Sequence, residues 1–231
     1  HKFFGDIFSI KKEISINLYK QYIIENAKIL NKLGVNINTV PVLDISNKNT
    51  SKVLKNRVYS SNKNTIKTLG SLCVKLYKKN KIFTVMKHIP GHGSASSDSH
   101  KVLPVVYKSY KDLINNDFNC FKGIQPLFAM TAHIVYKKID PKNLGTHSQV
   151  IIGKIIRKKI GFKGILISDD ISMKALKDDL VKNALKSIKA GCNLVLYCSG
   201  KYAESSRLLR HMPYIDDFTK KKTSEFYKFL R

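Results

Sequence analysis

The segment Lys87-His88-Ile89-Pro90-Gly91-His92-Gly93-Ser94-Ala95-Ser96-Ser97-Asp98-Ser99-His100 concentrates side chains that can move protons. Pro90, Gly91 and Gly93 forbid a regular helix, so the segment reads as a loop leaving a strand. Asp98 and His100 are two apart, and in extended backbone such residues face the same side. A carboxylate beside an imidazole orients the ring and favours its protonated form. An imidazole titrates at about 6.5 when unperturbed, so a small shift makes it an acid usable at neutral pH. The chemistry on offer is a general acid/base dyad. A polar surface loop with an incidental Asp/His pair is the alternative that spacing alone leaves open. His88, His92, His100 and Asp98 also carry the atoms that bind zinc. A His-x-x-x-His grip needs a helix, which this loop cannot form, so no metal is expected.

Two further segments end in polar tips. In Gly164-Ile165-Leu166-Ile167-Ser168-Asp169-Asp170-Ile171-Ser172-Met173, an apolar strand delivers Asp169 with Asp170 beside it. Adjacent carboxylates at a strand end point apart. One is therefore expected to serve as nucleophile or base and the other to cap the following turn, unless both are helix-capping acids. In Ala129-Met130-Thr131-Ala132-His133 a strand runs into His133, a candidate for substrate contact or a hydrogen-bonded structural residue. Asp44 and Arg57 are candidates for gripping a polar ligand.

These tips need strands to position them. Helices are expected over residues 15–33, with Gly34 as the C-terminal stop, and over 65–79, 110–121, 148–159 and 178–190. Strands are expected over 35–43, 82–86, 126–130, 164–167 and 193–197. A helix is expected after the last strand, and residues from about 216 read as a basic surface helix or frayed tail. This alternation implies βαβ units and a parallel sheet. Polar titratable residues fall at the C-terminal strand ends, where a TIM-type (β/α)8 barrel keeps its active site. An open doubly wound sheet does so too, but no Gly-rich fingerprint follows the first strand. About five strands are present where a barrel needs eight, so the expected fold is α/β, an incomplete barrel lacking its first two or three βα units. Its catalytic part spans 1–215 and its basic tail 216–231.

The bulk composition excludes little by itself. The chain has 231 residues, 43% of them hydrophobic, enough for one core. No apolar run approaches the roughly 20 residues of a membrane span, so no membrane partner is expected. The chain begins with His1, and no signal-like segment follows. The formal net charge of +26 would suit a nucleic-acid partner. The charge is nearly all Lys, spread along the chain, with Arg only at Arg57, Arg157, Arg207, Arg210 and Arg231. Base readout favours Arg, so nucleic acid is not an expected partner, and the basicity reads as compositional drift in a Lys-, Ile- and Asn-rich chain. Cys73, Cys120, Cys192 and Cys198 form no CxxC pair or zinc spacing and read as reduced thiols.

Taken together, Lys87-to-Gly93, Asp98-Ser99-His100, Met130-to-His133 and Ser168-to-Met173 resemble, in order and spacing, the bacterial β-N-acetylhexosaminidases of the family-3 glycoside hydrolases. Val42-Leu43-Asp44 and Arg57 resemble the preceding family segments, and the likeness spans roughly residues 30–200. The Asp-Ser-His loop separates this branch from the family's β-glucosidases. The resemblance implies Asp169 as nucleophile, His100 as acid/base held by Asp98, and Arg57, Lys87 and His88 as sugar-binding residues. It implies removal of terminal β-linked N-acetylglucosamine from muropeptides or chitooligosaccharides, in peptidoglycan recycling in the cytoplasm, by a monomer without cofactor. A His–Asp pair then stands where retaining glycosidases usually carry a second carboxyl group. The family's acidic Asp-Gln-Glu-Gly-Gly-like segment has no counterpart here and would lie before His1. Two other outcomes follow from that departure and from the family: an inactive truncated remnant that only binds or supports, and a β-glucosidase.

Overall fold

A computed structural model describes residues 1–48, 50–95 and 103–230; Asp98 and His100 lie outside the described residues. In chain order the elements are α1 (Lys2–Ile10), α2 (Lys12–Lys32), β1 (Ile37–Asn38), α3 (Lys52–Lys55), α4 (Lys63–Lys79), β2 (Phe83–Ile89), β3 (Val105–Val106), α5 (Tyr110–Asn115), β4 (Phe128–Thr131), β5 (Val135–Tyr136), a π-helical segment (Val150–Ile160), β6 (Ile165–Asp170), α6 (Leu180–Ala190), β7 (Leu194–Leu196), α7 (Tyr202–His211) and α8 (Asp217–Leu230). The strands β1, β2, β4, β6 and β7 form one parallel sheet in that order, and β3 pairs with β5 in a separate parallel ribbon. Neighbouring parallel strands joined through helices are βαβ units. The curled sheet is five strands of a TIM-type barrel wall.

The period-2 alternation of strand side chains divides the core in two. Met86 of β2, Ala129 of β4 and Leu166 of β6 face the outer layer, where they pack with Tyr19 and Ile23 of α2, Ile66 and Leu69 of α4, and Ile152 and Ile156 of the π-helical segment. Phe83 and Val85 of β2, Phe128 and Met130 of β4, and Ile165 and Ile167 of β6 face the opposite, inner side. Register ties the rows together: Val85 pairs with Phe128, Lys87 with Met130, and Met130 with Ile167.

The basic tail expected from residue 216 is the helix α8, and it is anchored rather than frayed. Phe226 is buried in the inner cluster, its ring 4.9 Å from Phe83 and 5.8 Å from Phe128, while Phe229 lies 4.9 Å from Phe83. Lys220, Lys221 and Lys228 stay exposed. The helix is thus amphipathic: its aromatic stripe covers the N-terminal half of the inner face, and its lysines face solvent. Among the described residues, no helix is long and apolar enough to cross a membrane.

Beyond the unexpected α1, α3 and β3–β5 ribbon and the π-helical form of Val150–Ile160, two expected elements are interrupted. The strand expected over 35–43 is cut to Ile37–Asn38, because Pro41 has no N–H to give the ladder. Pairing resumes at Val42, which bridges Lys87, and Leu43 donates to the Lys87 carbonyl at 2.8 Å. The helix expected over 110–121 breaks at Asn116, and a 3-10 turn follows over Phe118–Phe121. The break turns Asp117 inward, 1% exposed, to accept a 2.5 Å hydrogen bond from Ser94.

Candidate active site

Continuing the inner rows toward the C-terminal strand ends, the residue after Val85 on that side is Lys87, and the residue after Ile167 is Asp169. The apolar rows therefore end in a cation, Lys87, in register with Met130, and an acid, Asp169, one step beyond Ile167. A barrel places its chemistry at that end. Lys87 is held below the usual lysine value by burial and by the neighbouring Arg57 guanidinium, against the pull of Asp169 and Asp44. Arg57 and Lys87 thus stand close enough to feel each other. For Asp169, burial alone would raise the carboxyl. His88, then His133, the Asp170 amide and Lys87 outweigh it and hold the group below the ordinary range, so it is ionised.

The second carboxylate of the region is spent. Asp44, expected to face a ligand, has no exposed surface. Its Oδ2 accepts from His88 Nδ1 at 2.7 Å, and its Oδ1 accepts from the His92 amide at 2.6 Å, with the His88 amide at 3.4 Å. Burial would raise its pKa, but the charge and hydrogen bond of His88 and then the contribution of His92 bring it below the usual value. Asp44 therefore fixes the His88 ring and the start of the Gly-rich loop.

That loop is seated by backbone proximity. A Cβ on Gly93 would stand 1.8 Å from the Ile45 carbonyl oxygen, so only glycine fits. The Gly93 carbonyl accepts from Asn47 Nδ2 and Thr50 Oγ1, both at 2.8 Å, and the Gly91 carbonyl accepts from Tyr136 Oη at 2.9 Å. Gly91, at φ +149°, packs against Asp117. Burial pushes the Asp117 carboxyl up, against the lowering effect of the Ser94 hydrogen bond and of Lys108, whose Nζ lies 3.7 Å away. Asp117 thus touches the loop before residues 96–102 and the chain after them. Sequence reasoning missed it. The one available signal was an acid set between Leu113 and Ile114 on one side and Phe118 and Phe121 on the other, inside an apolar helical pattern.

The two acids at the tip of β6 have different surroundings. Asp170 Oδ1 accepts from the Ser172 amide at 3.0 Å, from Ser172 Oγ at 2.8 Å and from the Cys198 amide at 3.1 Å, closing the turn. Asp169 Oδ1 accepts from the Asp170 amide at 2.8 Å. His133 has no exposed surface; its Nδ1 is 2.8 Å from Thr146 Oγ1 and its Nε2 is 3.1 Å from the Asp170 carbonyl oxygen. Neither ring nitrogen is left for a sugar. The structure thus brings Arg57, Lys87, His88, His133 and Asp169 to one end of the sheet, while Asp98 and His100 fall outside the described residues.

The comparisons with known proteins agree with this architecture. The N-terminal domain of glycosyl hydrolase family 3 matches residues 4–220. A beta-hexosaminidase of Methylobacillus flagellatus is 32% identical over 173 residues, covering 72% of this chain and 48% of the relative. One from Psychromonas ingrahamii is 31% identical over 199 residues, covering 84% of this chain and 56% of the relative. The chain therefore spans about half the length of the curated relatives it matches. Among solved structures, NagZ from Neisseria gonorrhoeae in complex with N-trifluoroacetyl-D-glucosamine superposes with a TM-score of 0.85 at 26% identity, covering 96% of this chain and 66% of that one. A beta-N-acetylglucosaminidase from Paenibacillus sp. str. FPU-7 gives 0.79 at 25% identity, covering 91% and 42%. With the family domain matched over residues 4–220 of this chain, and with an acid and a cation at the C-terminal end of a barrel wall, this chain belongs to glycosyl hydrolase family 3.

Proposed function

We propose that the protein is a retaining exo-glycosidase that removes terminal, non-reducing β-linked N-acetylglucosamine. The observation that carries the reading is Asp169: an ionised acid on the inner side of β6, at the end of the sheet where barrels do chemistry, with Lys87 and Arg57 close by. The names of the relatives, beta-hexosaminidase and beta-N-acetylglucosaminidase, suggest the substrate class. Muropeptides or chitooligosaccharides are the natural substrates in this reading, and peptidoglycan recycling in the cytoplasm is the setting.

In the first step the Asp169 carboxylate attacks the anomeric carbon and His100 gives its proton to the leaving oxygen, so that a glycosyl ester forms as the glycosidic bond breaks. Asp98 orients His100 and favours its protonated form for that step. In the second step neutral His100 takes a proton from water, the water attacks the anomeric carbon, and Asp169 leaves as carboxylate. Arg57, Lys87 and His88 bind the sugar. Asp44 holds His88 in one orientation by accepting the Nδ1 proton.

The test is hydrolysis of a chromogenic N-acetyl-β-glucosaminide by the chain and by Asp169→Ala. Loss of at least about 10³-fold is expected, the scale of removing a nucleophile that acts as part of a unit. Near-full activity in the variant would sink the assignment. A chromogenic β-glucoside run beside it separates this reading from a β-glucosidase.

A further inference from the structure

The groups that surround the backbone of Asp169 form a chain of hydrogen bonds that nothing in the reading above uses. The Asp169 amide donates to Thr131 Oγ1 at 3.3 Å. Thr131 Oγ1 is 2.8 Å from Thr146 Oγ1, Thr146 Oγ1 is 2.8 Å from His133 Nδ1, and His133 Nε2 is 3.1 Å from the Asp170 carbonyl oxygen. Thr131, Thr146 and His133 are all 0% exposed. The chain therefore leaves β6 at residue 169, passes through β4 and the segment after β5, and returns to β6 at residue 170.

Its direction follows from elementary valence. A carbonyl oxygen only accepts, so His133 Nε2 carries the proton toward Asp170. Burial holds the ring below the ordinary imidazole pKa, against the pull of Asp169 and Asp170, so at neutral pH the ring is neutral and Nδ1 is an acceptor. Thr146 has one hydroxyl proton and three candidate acceptors, His133 Nδ1 and Thr131 Oγ1, each at 2.8 Å, and the Ala132 carbonyl at 3.3 Å. His133 Nδ1 takes it, because a nitrogen without a proton can only accept, whereas the Thr131 hydroxyl can donate instead. Thr131 must then donate to Thr146, which leaves a lone pair of Thr131 Oγ1 for the Asp169 amide. Each group gives one proton and receives one.

We propose that Thr131, Thr146 and His133 are positioning residues that set the attack geometry of Asp169, as a one-directional relay gripping the end of β6 on both sides of that residue. The proposal rests on the reading of Asp169 as nucleophile. A misplacement of about 1 Å far from the reacting atoms can cost about 10²-fold in rate, and a relay of buried hydroxyls is a means of preventing it. It also gives His133 a task that needs no free ring nitrogen.

Two measurements test it. The first is independent of turnover: in protein labelled with 15N-histidine, the nitrogen shifts of His133 report its tautomer. The expected result is a neutral Nε2–H ring across the neutral pH range; an Nδ1–H ring, or one that protonates at the ordinary value, would overturn the relay. The second compares Thr146→Val, which keeps shape and removes the hydroxyl, with Thr146→Ser, which restores it. Thr146→Val should lose about tenfold to 10²-fold in kcat with KM nearly unchanged, Thr146→Ser should recover most of it, and Thr131→Val combined with Thr146→Val should lose no more than the worse single variant. The loss should persist on a dinitrophenyl glycoside, whose leaving group needs no acid. Additive losses, or a loss in KM alone, would overturn the proposal. A parent chain that hydrolyses nothing, yet shows the Nε2–H ring and an Nδ1 shift that moves when Thr146→Val removes its donor, would overturn the Asp169 reading and leave the hydrogen-bond relay standing.

Discussion

Asp44, two residues past the Val42 bridge, and Asp169, near the end of β6, lie at the same end of the sheet with both carboxyls below the ordinary range, yet their surroundings are opposite in kind. Asp44 accepts from one ring N–H and from the His88 and His92 amides and has no exposed surface. Among the described residues Asp169 accepts one hydrogen bond, from the amide of its own neighbour, and it is lowered first by His88 and His133, then by that amide and by Lys87. A carboxylate whose lone pairs are filled by fixed donors is a fastener. One held ionised with few fixed donors on its oxygens can form a new bond. A perturbed pKa therefore does not distinguish the two; the inventory of donors does.

The largest expected effects separate them directly. Asp44→Ala should destabilise the fold by about 3–5 kcal/mol, the cost of leaving buried donors without their charge partner. Asp169→Ala should change stability by less than about 1 kcal/mol while removing turnover. Urea unfolding of both variants checks this; similar losses of stability would erase the contrast.

A second test asks whether the apolar floor below Asp169 depends on α8. Phe226 touches Phe83 and Phe128 at the far end of the inner rows. Phe226→Ala should cost about 3 kcal/mol, as buried Phe truncations do, with the midpoint shifting and the slope unchanged. A change within measurement error would mean that α8 is not part of the inner core.

A third concerns the loop that Asp44 starts and Asp117 steadies. Asp117→Ala leaves Ser94 without its acceptor and should cost about 1–3 kcal/mol. Hydrogen exchange at His92–Ala95 should accelerate, while the amides of β4 and β6 keep their protection. Asp117→Asn retains an acceptor oxygen for Ser94 and should stay close to the parent. Unchanged exchange in the Ala variant would assign the loop's seat to Tyr136, Asn47 and Thr50 alone.

Much of the scaffold was legible because it obeys local rules. The runs at 164–167 and 193–197 became β6 and β7 within a few residues, since apolar β-branched runs between turns have few other uses. The stop at Gly34 also holds, with φ +72° just past the end of α2. The strand at 35–43 was overread because the missing N–H of Pro41 counts against pairing more than the apolar pattern counts for it. The helix at 110–121 was overread because the partner that pulls Asp117 inward is Ser94, 23 residues earlier. The polar tips were legible as a group, but the division of labour among them was not. Asp44 and Asp169 each end an apolar run of sequence, and only the donors arriving from other segments tell them apart. Thr131 and Thr146 gave no signal, because a relay of hydroxyls exists only once β4 and the segment after β5 are side by side.

The smallest expected effect concerns acid, and it bears on both aspartates. Asp44 and Asp169 have folded pKa values below their unfolded ones, so each contributes stability that is present above the ordinary carboxylate value and lost as pH falls through the folded one. The same sign holds for His92, His133 and His147, whose folded forms bind protons less readily than the unfolded chain. His147 is lowered to about 4, chiefly by burial and then by His133 and Lys186. Its share of the loss therefore falls between about 6.5, where the unfolded ring takes a proton, and about 4, where the folded ring does. One proton contributes a slope of at most about 1.4 kcal/mol per pH unit, and partial exposure lowers it. In His147→Gln the melting temperature should decline less steeply through that window and rejoin the parent's slope below it, where the carboxylates dominate. A curve that keeps the parent's slope across the window would show that His147 titrates alike in both states, and that the acid sensitivity belongs to the other lowered groups, His92, His133, Asp44 and Asp169.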